Sequence, residues 1–154
     1  MNVVLAAFLI GVIAGLRAMM APTVVSWAAG LGKLPLEGTA LSVWGHAITR
    51  YVLSVAAIGE LINDKLPKTP SRKVPPQFIA RVVTGALSGA ALGAAHRSTF
   101  VGLIAGGVGA VAGTLGGAEF RARLGRAFGK DLPAALIEDA IAIVGAILIV
   151  TKLG

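Results

Sequence analysis

Long apolar segments alternate with short polar ones along the whole chain. An α-helix rises about 1.5 Å per residue, so about 20 apolar residues cross the roughly 30 Å hydrocarbon core of a bilayer. Five segments approach this length, and together they predict an all-α, polytopic membrane helix bundle of about five transmembrane helices. We expect residues 1–154 to form a single integral membrane domain. The five segments are residues 3–20, 41–62, 78–95, 100–117 and 133–150.

Proline, glycine and charged residues predict where these helices end. Pro22 is expected to kink or end the first helix, because proline lacks a backbone N–H and clashes with the preceding turn. Residues 23–31 would then lie at the membrane interface, where Trp27 is favoured. Residues 96–99 predict a tight connection, and 118–131 predict a short basic interfacial helix. One apolar face of that helix would carry Phe120, Leu124 and Phe128.

Glycines recur every four residues in the third and fourth predicted spans. This spacing places a bare stripe on one helix face, so that two backbones can approach closely in lipid. We therefore expect glycine-zipper packing, either between these two spans as a hairpin or between subunits. The stripes consist of Gly85, Gly89 and Gly93, then Gly102 and Gly106, and then Gly109, Gly113 and Gly117.

Composition agrees with a membrane protein and excludes several kinds of site. The mean hydropathy is +0.84, with 56% hydrophobic and 14% charged residues. The net charge of +7 is concentrated in two loops, which favours anionic lipid head groups over nucleic acid as the partner. The absence of cysteine excludes disulfides, thiolate metal sites and cysteine nucleophiles. Because the glycine stripes lie inside apolar spans with no preceding strand, they are not nucleotide-binding loops, and no cofactor is predicted.

The distribution of lysine and arginine predicts the orientation in a bacterial inner membrane. Eight of these residues fall in the loops after the second and fourth spans, and three fall on the other side. Cytoplasmic loops carry the excess of positive charge. With five spans, both basic loops lie on one side, so the N-terminus is predicted to be cytoplasmic.

Ionisable residues inside the spans are the candidates for function. Each costs about 2.5–3.5 kcal/mol on insertion scales, so its presence needs a reason. The spacing places four carboxylates and Arg81 in the inner third of the bilayer, with Arg17 and Arg50 further out. The carboxylates could also be ligands for a hard cation. The predicted solute or ion pathway comprises Arg17, His46, Arg50, Glu60, Asp64, Lys65, Arg72, Arg81, Glu138 and Asp139, and a metal, if bound, would use Glu60, Asp64, Glu138 and Asp139.

Purely structural explanations compete at each position. Arg17 and Arg81 could extend their charged ends to the membrane surface, and Arg81 could pair with Glu60. His46 could be a hydrogen-bonded interior residue. Arg50 and the Glu138–Asp139 pair are the hardest to explain in this way, because they lie deepest. Adjacent acids project about 100° apart on a helix, so at least one must face protein or water.

Four sequence segments together resemble a known family. They are GLRAMMAPTVVSW (15–27), GELINDKLPKTPSR (59–72), the helix around Arg81, and IED (137–139). In this order they are similar to an uncharacterised bacterial family, domain of unknown function 4126. The resemblance covers nearly the whole chain and implies a small integral membrane protein, but it implies no catalytic role. It marks as characteristic the polar positions listed above, apart from His46 and Arg50.

Three functions remain open. A small-solute transporter or channel is favoured, with the arginines selecting an anionic solute and a homo-oligomer enclosing the path. A metal-dependent membrane enzyme acting on lipid phosphates is less favoured, since the only candidate nucleophile is Ser71. A scaffold is the third, in which buried ion pairs only fix the arrangement of helices. A water-filled cavity at Arg50 would favour transport, an open carboxylate cluster an enzyme, and a dry, fully paired interior a scaffold.

Overall fold

The structure is a computed structural model that describes residues 2–34, 36, 42–63 and 75–153. The described part is entirely helical and contains no strand, which confirms the all-α prediction. Its helices are α1 (Val3–Leu16), α2 (Met20–Gly30), α3 (Ala47–Asn63), α4 (Pro75–Ala94), α5 (Thr99–Phe128) and α6 (Asp131–Leu153), with one 3₁₀ turn at Ser42–Gly45.

The first predicted span is broken, but not by Pro22. Helix α1 ends at Leu16, because Arg17 adopts an extended backbone conformation (φ −142°, ψ 108°). Helix α2 begins at Met20, three residues after Arg17. Pro22 lies in the first turn of α2, where a missing N–H costs no intrahelical hydrogen bond. The prediction of one helix over residues 3–20 that ends at proline is therefore wrong.

Helices α1, α4 and α5 pack closely through glycine. A Cβ built on Gly89 would collide with the backbones of Gly102 and Gly106, so α4 and α5 form a close antiparallel hairpin. A Cβ on Gly11 would collide with Gly106, and one on Gly15 with the backbone around Thr114. Residues with higher numbers in α1 thus contact residues with higher numbers in α5, so these two helices run parallel.

Helix α5 is longer than predicted. It continues without interruption through the basic segment to Phe128, and Gly129 ends it in the left-handed conformation (φ 70°). Its 30 residues span about 45 Å, against about 30 Å of hydrocarbon. The separate interfacial helix predicted for residues 118–131 is therefore wrong, and α5 extends beyond the glycine contacts instead.

Helix α6 runs antiparallel to α1. Gly145 lies beside Ile13, and Glu138 lies beside Arg17. The residue numbers at these contacts therefore decrease along α6 as they increase along α1. The start of α1 therefore lies at the same end of the bundle as the α4–α5 turn at residues 95–98. The five-span prediction puts these two points on opposite sides of the membrane, so the direction of α1 relative to α4 and α5 differs from that prediction.

Helices α2 and α3 form an antiparallel pair held by side-chain hydrogen bonds. Thr23 Oγ1 donates to Leu53 O at 3.0 Å, and Trp27 Nε1 donates to Ser54 Oγ at 2.8 Å. Leu34 and Leu36, which follow α2, belong to the same buried apolar core as residues 91–94 at the far end of α4. Helix α2 therefore runs back along the bundle from Arg17.

Within the described part of the chain, three helices are long and apolar enough to cross a membrane, namely Pro76–Ala94, Thr99–Phe128 and Leu132–Lys152, and α1 is a shorter apolar helix. Large apolar side chains are exposed along the outside of the bundle, for example Ile48 (79%) and Phe100 (71%). In water such a surface would be unfavourable, whereas in lipid it is the ordinary exterior. The chain is thus a helical membrane protein.

Candidate functional site

Arg17 occupies the break between α1 and α2 and is fully buried. Its guanidinium lies between two carboxylates of α6. Nη1 donates to Glu138 Oε1 at 2.5 Å, and Nε donates to Asp139 Oδ1 at 2.7 Å, with Nη2 2.5 Å from the same oxygen. Nη1 also donates to Leu16 O at 2.9 Å. Charges removed from water in this way are stable only when they are paired and hydrogen-bonded.

Both acids of the Glu138–Asp139 pair face the same arginine. The side chain of Glu138 is 1% exposed and that of Asp139 is 11% exposed. The argument from helix geometry required only one of them to face inward. The broad planar fork of Arg17 bridges the angle between the two neighbouring side chains, so both are satisfied at once.

Glu60, near the end of α3, binds the other side of the break. Its two carboxylate oxygens accept hydrogen bonds from the backbone amides of Ala18 and Met19, each at 3.0 Å. These amides belong to the two residues just before α2, where the helix dipole favours negative charge. Glu60 therefore caps α2 from a neighbouring helix.

Arg81 of α4 closes the arrangement. It is 5% exposed, and its Nη1 lies 3.4 Å from Gly15 O in the last turn of α1. Cations are favoured at a helix C-terminus and anions at an N-terminus. The ends of α1 and α2 thus meet at Arg17 with cations against the carbonyls and a carboxylate against the amides. We call Arg17, Glu60, Arg81, Glu138 and Asp139 the ionic cluster.

Arg17 lies at the same level of the bundle as the two acids of α6, which differs from the sequence prediction. Arg81 and Glu138 lie about 9–11 Å from the starts of α4 and α6, at 1.5 Å per residue. Arg17 was expected near the opposite side of the bilayer. It lies at the same level as the acids instead, because α1 runs in the opposite direction to the one predicted.

Arg50 does not join the ionic cluster. It lies in the first turn of α3 rather than in the middle of a span, since the helix begins at Ala47 and not at residue 41. Its guanidinium carbon is 5.1 Å from the centroid of the Trp27 ring, and its Nη1 rests against Gly30. Its Nε is buried and has no hydrogen-bond partner among the described residues.

The other predicted site residues are separate from the cluster or are not described. His46 precedes α3 and is exposed, so the alternative of a hydrogen-bonded interior residue is wrong; only its backbone oxygen is bonded, to Arg50 N. Asp64, Lys65 and Arg72 lie outside the described residues.

The described carboxylates do not converge on a metal site. Within residues 2–34, 36, 42–63 and 75–153, no group of three or more His, Cys, Asp or Glu side chains could hold a metal ion. Glu60 binds the α2 amides, while Glu138 and Asp139 bind Arg17. Three of the four predicted metal ligands are therefore bound to two separate sets of partners. The fourth predicted ligand, Asp64, lies outside the described residues.

Sequence reasoning missed the polar contacts between α2 and α3. Trp27 and Gly30 are three residues apart on one helix face, and Arg50 fits over both. Ser26 Oγ donates to Trp44 O, and Thr23 Oγ1 donates across to α3. The spacing of Thr23, Ser26, Trp27 and Gly30 was a visible signal of a polar helix face, which the assignment to an interfacial segment overlooked.

Comparison with known proteins identifies no relative. No family model matches this chain, and no curated protein or solved structure matches it.

Proposed function

We propose that the protein is a small membrane transporter or channel for a small solute, and that the ionic cluster is its gate. This proposal rests on one observation: Arg17, a buried arginine with two acidic partners, lies at a break between two helices. Broken helices whose ends face charged groups are a usual construction for solute and ion sites in transporters. The resemblance to a bacterial membrane family of unknown function supports the proposed location, the bacterial inner membrane, and leaves the activity open.

The fold suggests a membrane arrangement that differs from five simple crossings. Helices α1 and α2 span only about 21 and 17 Å. We propose that they form a re-entrant hairpin that turns at Arg17 and that α4, α5 and α6 cross the bilayer. Helix α3, whose 17 residues span about 26 Å, is proposed to cross with them, although it is shorter than these three helices. Non-helical backbone at membrane depth is tolerated where protein buries it and satisfies its polar groups. The ionic cluster provides that at the turn.

In this arrangement, charge favours an N-terminus outside rather than in the cytoplasm. Four of the eight lysines and arginines belong to residues 64–74, outside the described residues, and four lie between Arg121 and Lys130, at and just after the end of α5. The end of α3, the start of α4 and the end of α5, next to these positions in the chain, lie at the same end of the bundle as the ionic cluster. If that end is cytoplasmic, the start of α1 is at the outer face. Labelling of single cysteines introduced at Asn2 and Ala122 in intact cells tests this, with Asn2 alone accessible from outside.

The proposed function includes oligomers and lipids. So few helices enclose a path poorly, which is why we propose a homo-oligomer. Glycine-zipper packing is proposed as the way in which α1, α4 and α5 associate in lipid, where small residues permit close backbone contact. The exposed basic end of α5 is the surface proposed to bind anionic head groups.

A scaffold is the second candidate, and the pairing of the ionic cluster favours it. Arg17 has a carboxylate on each side and is fully buried, which also suits a purely structural staple. A metal-dependent enzyme has less support, because Glu60 lies apart from the two acids of α6 and no metal group forms among the described residues.

Flux measurements in proteoliposomes distinguish a transport gate from a scaffold in which the ion pairs are purely structural. A dye trapped in the vesicles reports proton movement, and efflux of inorganic phosphate or chloride reports anion movement. A gate predicts flux above that of protein-free vesicles, and a change of at least about tenfold in Asp139→Asn or Glu138→Gln, which corresponds to 1.4 kcal/mol.

The matched control is Glu119→Gln on α5. Glu119 pairs with Arg123 at 2.9 Å on the exposed surface, so this change also removes one carboxylate from an ion pair. It should leave flux unchanged. If wild-type vesicles pass neither protons nor either anion, or if the cluster variants alter only the melting temperature, transport is rejected and the scaffold is favoured.

A further inference from the structure

Arg50 is half-buried and, unlike Arg17, has no acidic partner among the described residues. Arg17 binds two carboxylates, whereas the described contacts of the Arg50 guanidinium are the face of Trp27 and the backbone at Gly30. Buried arginine N–H groups nearly always have acceptors, and Arg50 Nε has none among the described residues. Nε itself is buried, whereas the side chain as a whole is partly exposed, so an acceptor from outside the chain could reach its terminal nitrogens.

The surroundings of Arg50 are positively charged and aromatic. Lys33 follows α2 and His46 precedes α3, and both are exposed. Tyr51 packs edge-on against Trp27, with ring centroids 5.8 Å apart and an interplanar angle of 88°. Tryptophan and tyrosine are favoured at the level of lipid head groups. Arg50 therefore lies where a charged group at the membrane surface meets an aromatic platform.

This region is distinct from the ionic cluster. Arg50 and Glu60 are ten residues apart on α3, which corresponds to about 15 Å along the helix. Glu60 and the acids of α6 are bound to other partners at the opposite end of α2. Among the described residues, none of these carboxylates neutralises Arg50.

We propose that Arg50, held on the Trp27 ring, binds a phosphate group at the end of the α2–α3 pair. The planar fork of arginine matches phosphate oxygens and can donate two parallel hydrogen bonds to them. Trp27 fixes the guanidinium plane by a cation–π contact, and Ser54 fixes the Trp27 indole. The phosphate could belong to a phospholipid head group or to a free phosphate in solution, since both present the same oxygens.

Tryptophan fluorescence tests the site directly. The chain has two tryptophans, so Trp44→Phe leaves Trp27 as the only reporter. The protein is titrated with inorganic phosphate in detergent, and in a second arm it is placed in nanodiscs of phosphatidylcholine alone or mixed with phosphatidylglycerol. We expect a saturable change in Trp27 emission. A response to phosphate assigns a solute site, and a response only to phosphatidylglycerol assigns a lipid site.

Three variants identify the residue responsible. Arg50→Gln should weaken binding at least about tenfold, as expected for the loss of a charged hydrogen-bonding partner. Arg50→Lys keeps the charge but not the fork and should weaken it less. Lys152→Gln removes an exposed cation near the end of α6 and should bind as the wild type does. Glu37, which lies outside the described residues, is changed to Gln to test for a competing carboxylate, and this change should not weaken binding.

The proposal has clear contrary outcomes. It is wrong if neither phosphate nor phosphatidylglycerol changes Trp27 emission, or if Arg50→Gln responds with wild-type affinity. Should Arg50→Gln fail to fold, Arg50→Lys decides, because it retains most of the packing and leaves the Trp27 reporter in place; wild-type affinity in Arg50→Lys then overturns the proposal. Binding is measured at equilibrium without a gradient, so its result is independent of the flux test. A failure to bind phosphate would leave the proposed gate intact, and a failure of flux would leave the proposed phosphate site intact.

Discussion

Arg17 and Arg50 are two arginines buried by different means. Arg17 is fully enclosed and has a carboxylate on each side, whereas Arg50 is partly exposed and rests on an indole ring. A guanidinium deep in an apolar bundle needs opposite charge to offset the loss of hydration. Near the end of a helix pair an aromatic face and some solvent suffice. The comparison teaches that depth alone does not predict the role of an intramembrane arginine, and that its partners must be known.

The largest expected effect comes from removing the cation of the ionic cluster. Arg17→Gln removes the cation that Glu138 and Asp139 both bind, while the two acids stay buried beside each other. Breaking a buried ion pair from one side costs about 3–5 kcal/mol, so thermal unfolding in detergent should show a large fall in melting temperature. Arg123→Gln, which breaks the exposed pair with Glu119, is the control, with an expected cost of about 0.3–0.5 kcal/mol.

Replacing the whole ionic trio separates stability from function. Arg17→Met combined with Glu138→Leu and Asp139→Leu removes every charge together, and such replacements are often neutral or stabilising. We expect most of the stability lost in Arg17→Gln to return, while flux in proteoliposomes is lost. Recovery of both stability and flux would mean that the trio has no part in transport.

Single acid variants should have an intermediate effect. Glu138→Gln and Asp139→Asn each remove one charged hydrogen-bonding partner of Arg17, at about 1.5–3 kcal/mol. In a double-mutant cycle with Arg17→Gln, the effects should be strongly non-additive, because the residues are in contact. Additive unfolding free energies would show that the contact contributes little to stability.

Glu60 should contribute less than the acids of α6. Glu60→Gln keeps one carbonyl oxygen for the amides of Ala18 and Met19 but loses the charge at the start of α2. The loss of a helix N-cap costs about 0.5–2 kcal/mol. Relative to the wild type, hydrogen exchange in Glu60→Gln should therefore be accelerated in α2 more than in α5. Equal protection of α2 in both proteins would contradict the capping role.

The smallest effect is expected at Arg50. Loss of the cation–π contact in Trp27→Leu or Arg50→Gln should cost about 0.5–2 kcal/mol of stability, since no described carboxylate is left unpaired. The melting temperature of Arg50→Gln should therefore fall much less than that of Arg17→Gln. A fall of equal size would remove the distinction between the two arginines.

Lysine and arginine counts do not by themselves determine the number of membrane spans. Five spans placed both basic loops on one side, and that agreement appeared to support the count. A re-entrant hairpin followed by four crossings places the same loops on one side equally well. The difference lies in three residues, 17–19, where the helix ends and the chain reverses.

By itself, the sequence determined what local composition controls. Apolar segments and glycine spacing predicted an all-helical membrane protein, and the cost of burying charge identified Arg17, Glu60, Arg81, Glu138 and Asp139 as the residues that need partners. Pairing, direction and helix ends were decided by the tertiary structure. An α1 that runs parallel to α5 brings Arg17 to the acids of α6, and neighbouring acids share one arginine only because its fork lies between them. Such contacts join residues more than a hundred positions apart, and hydrophobic periodicity carries no information about which helices meet.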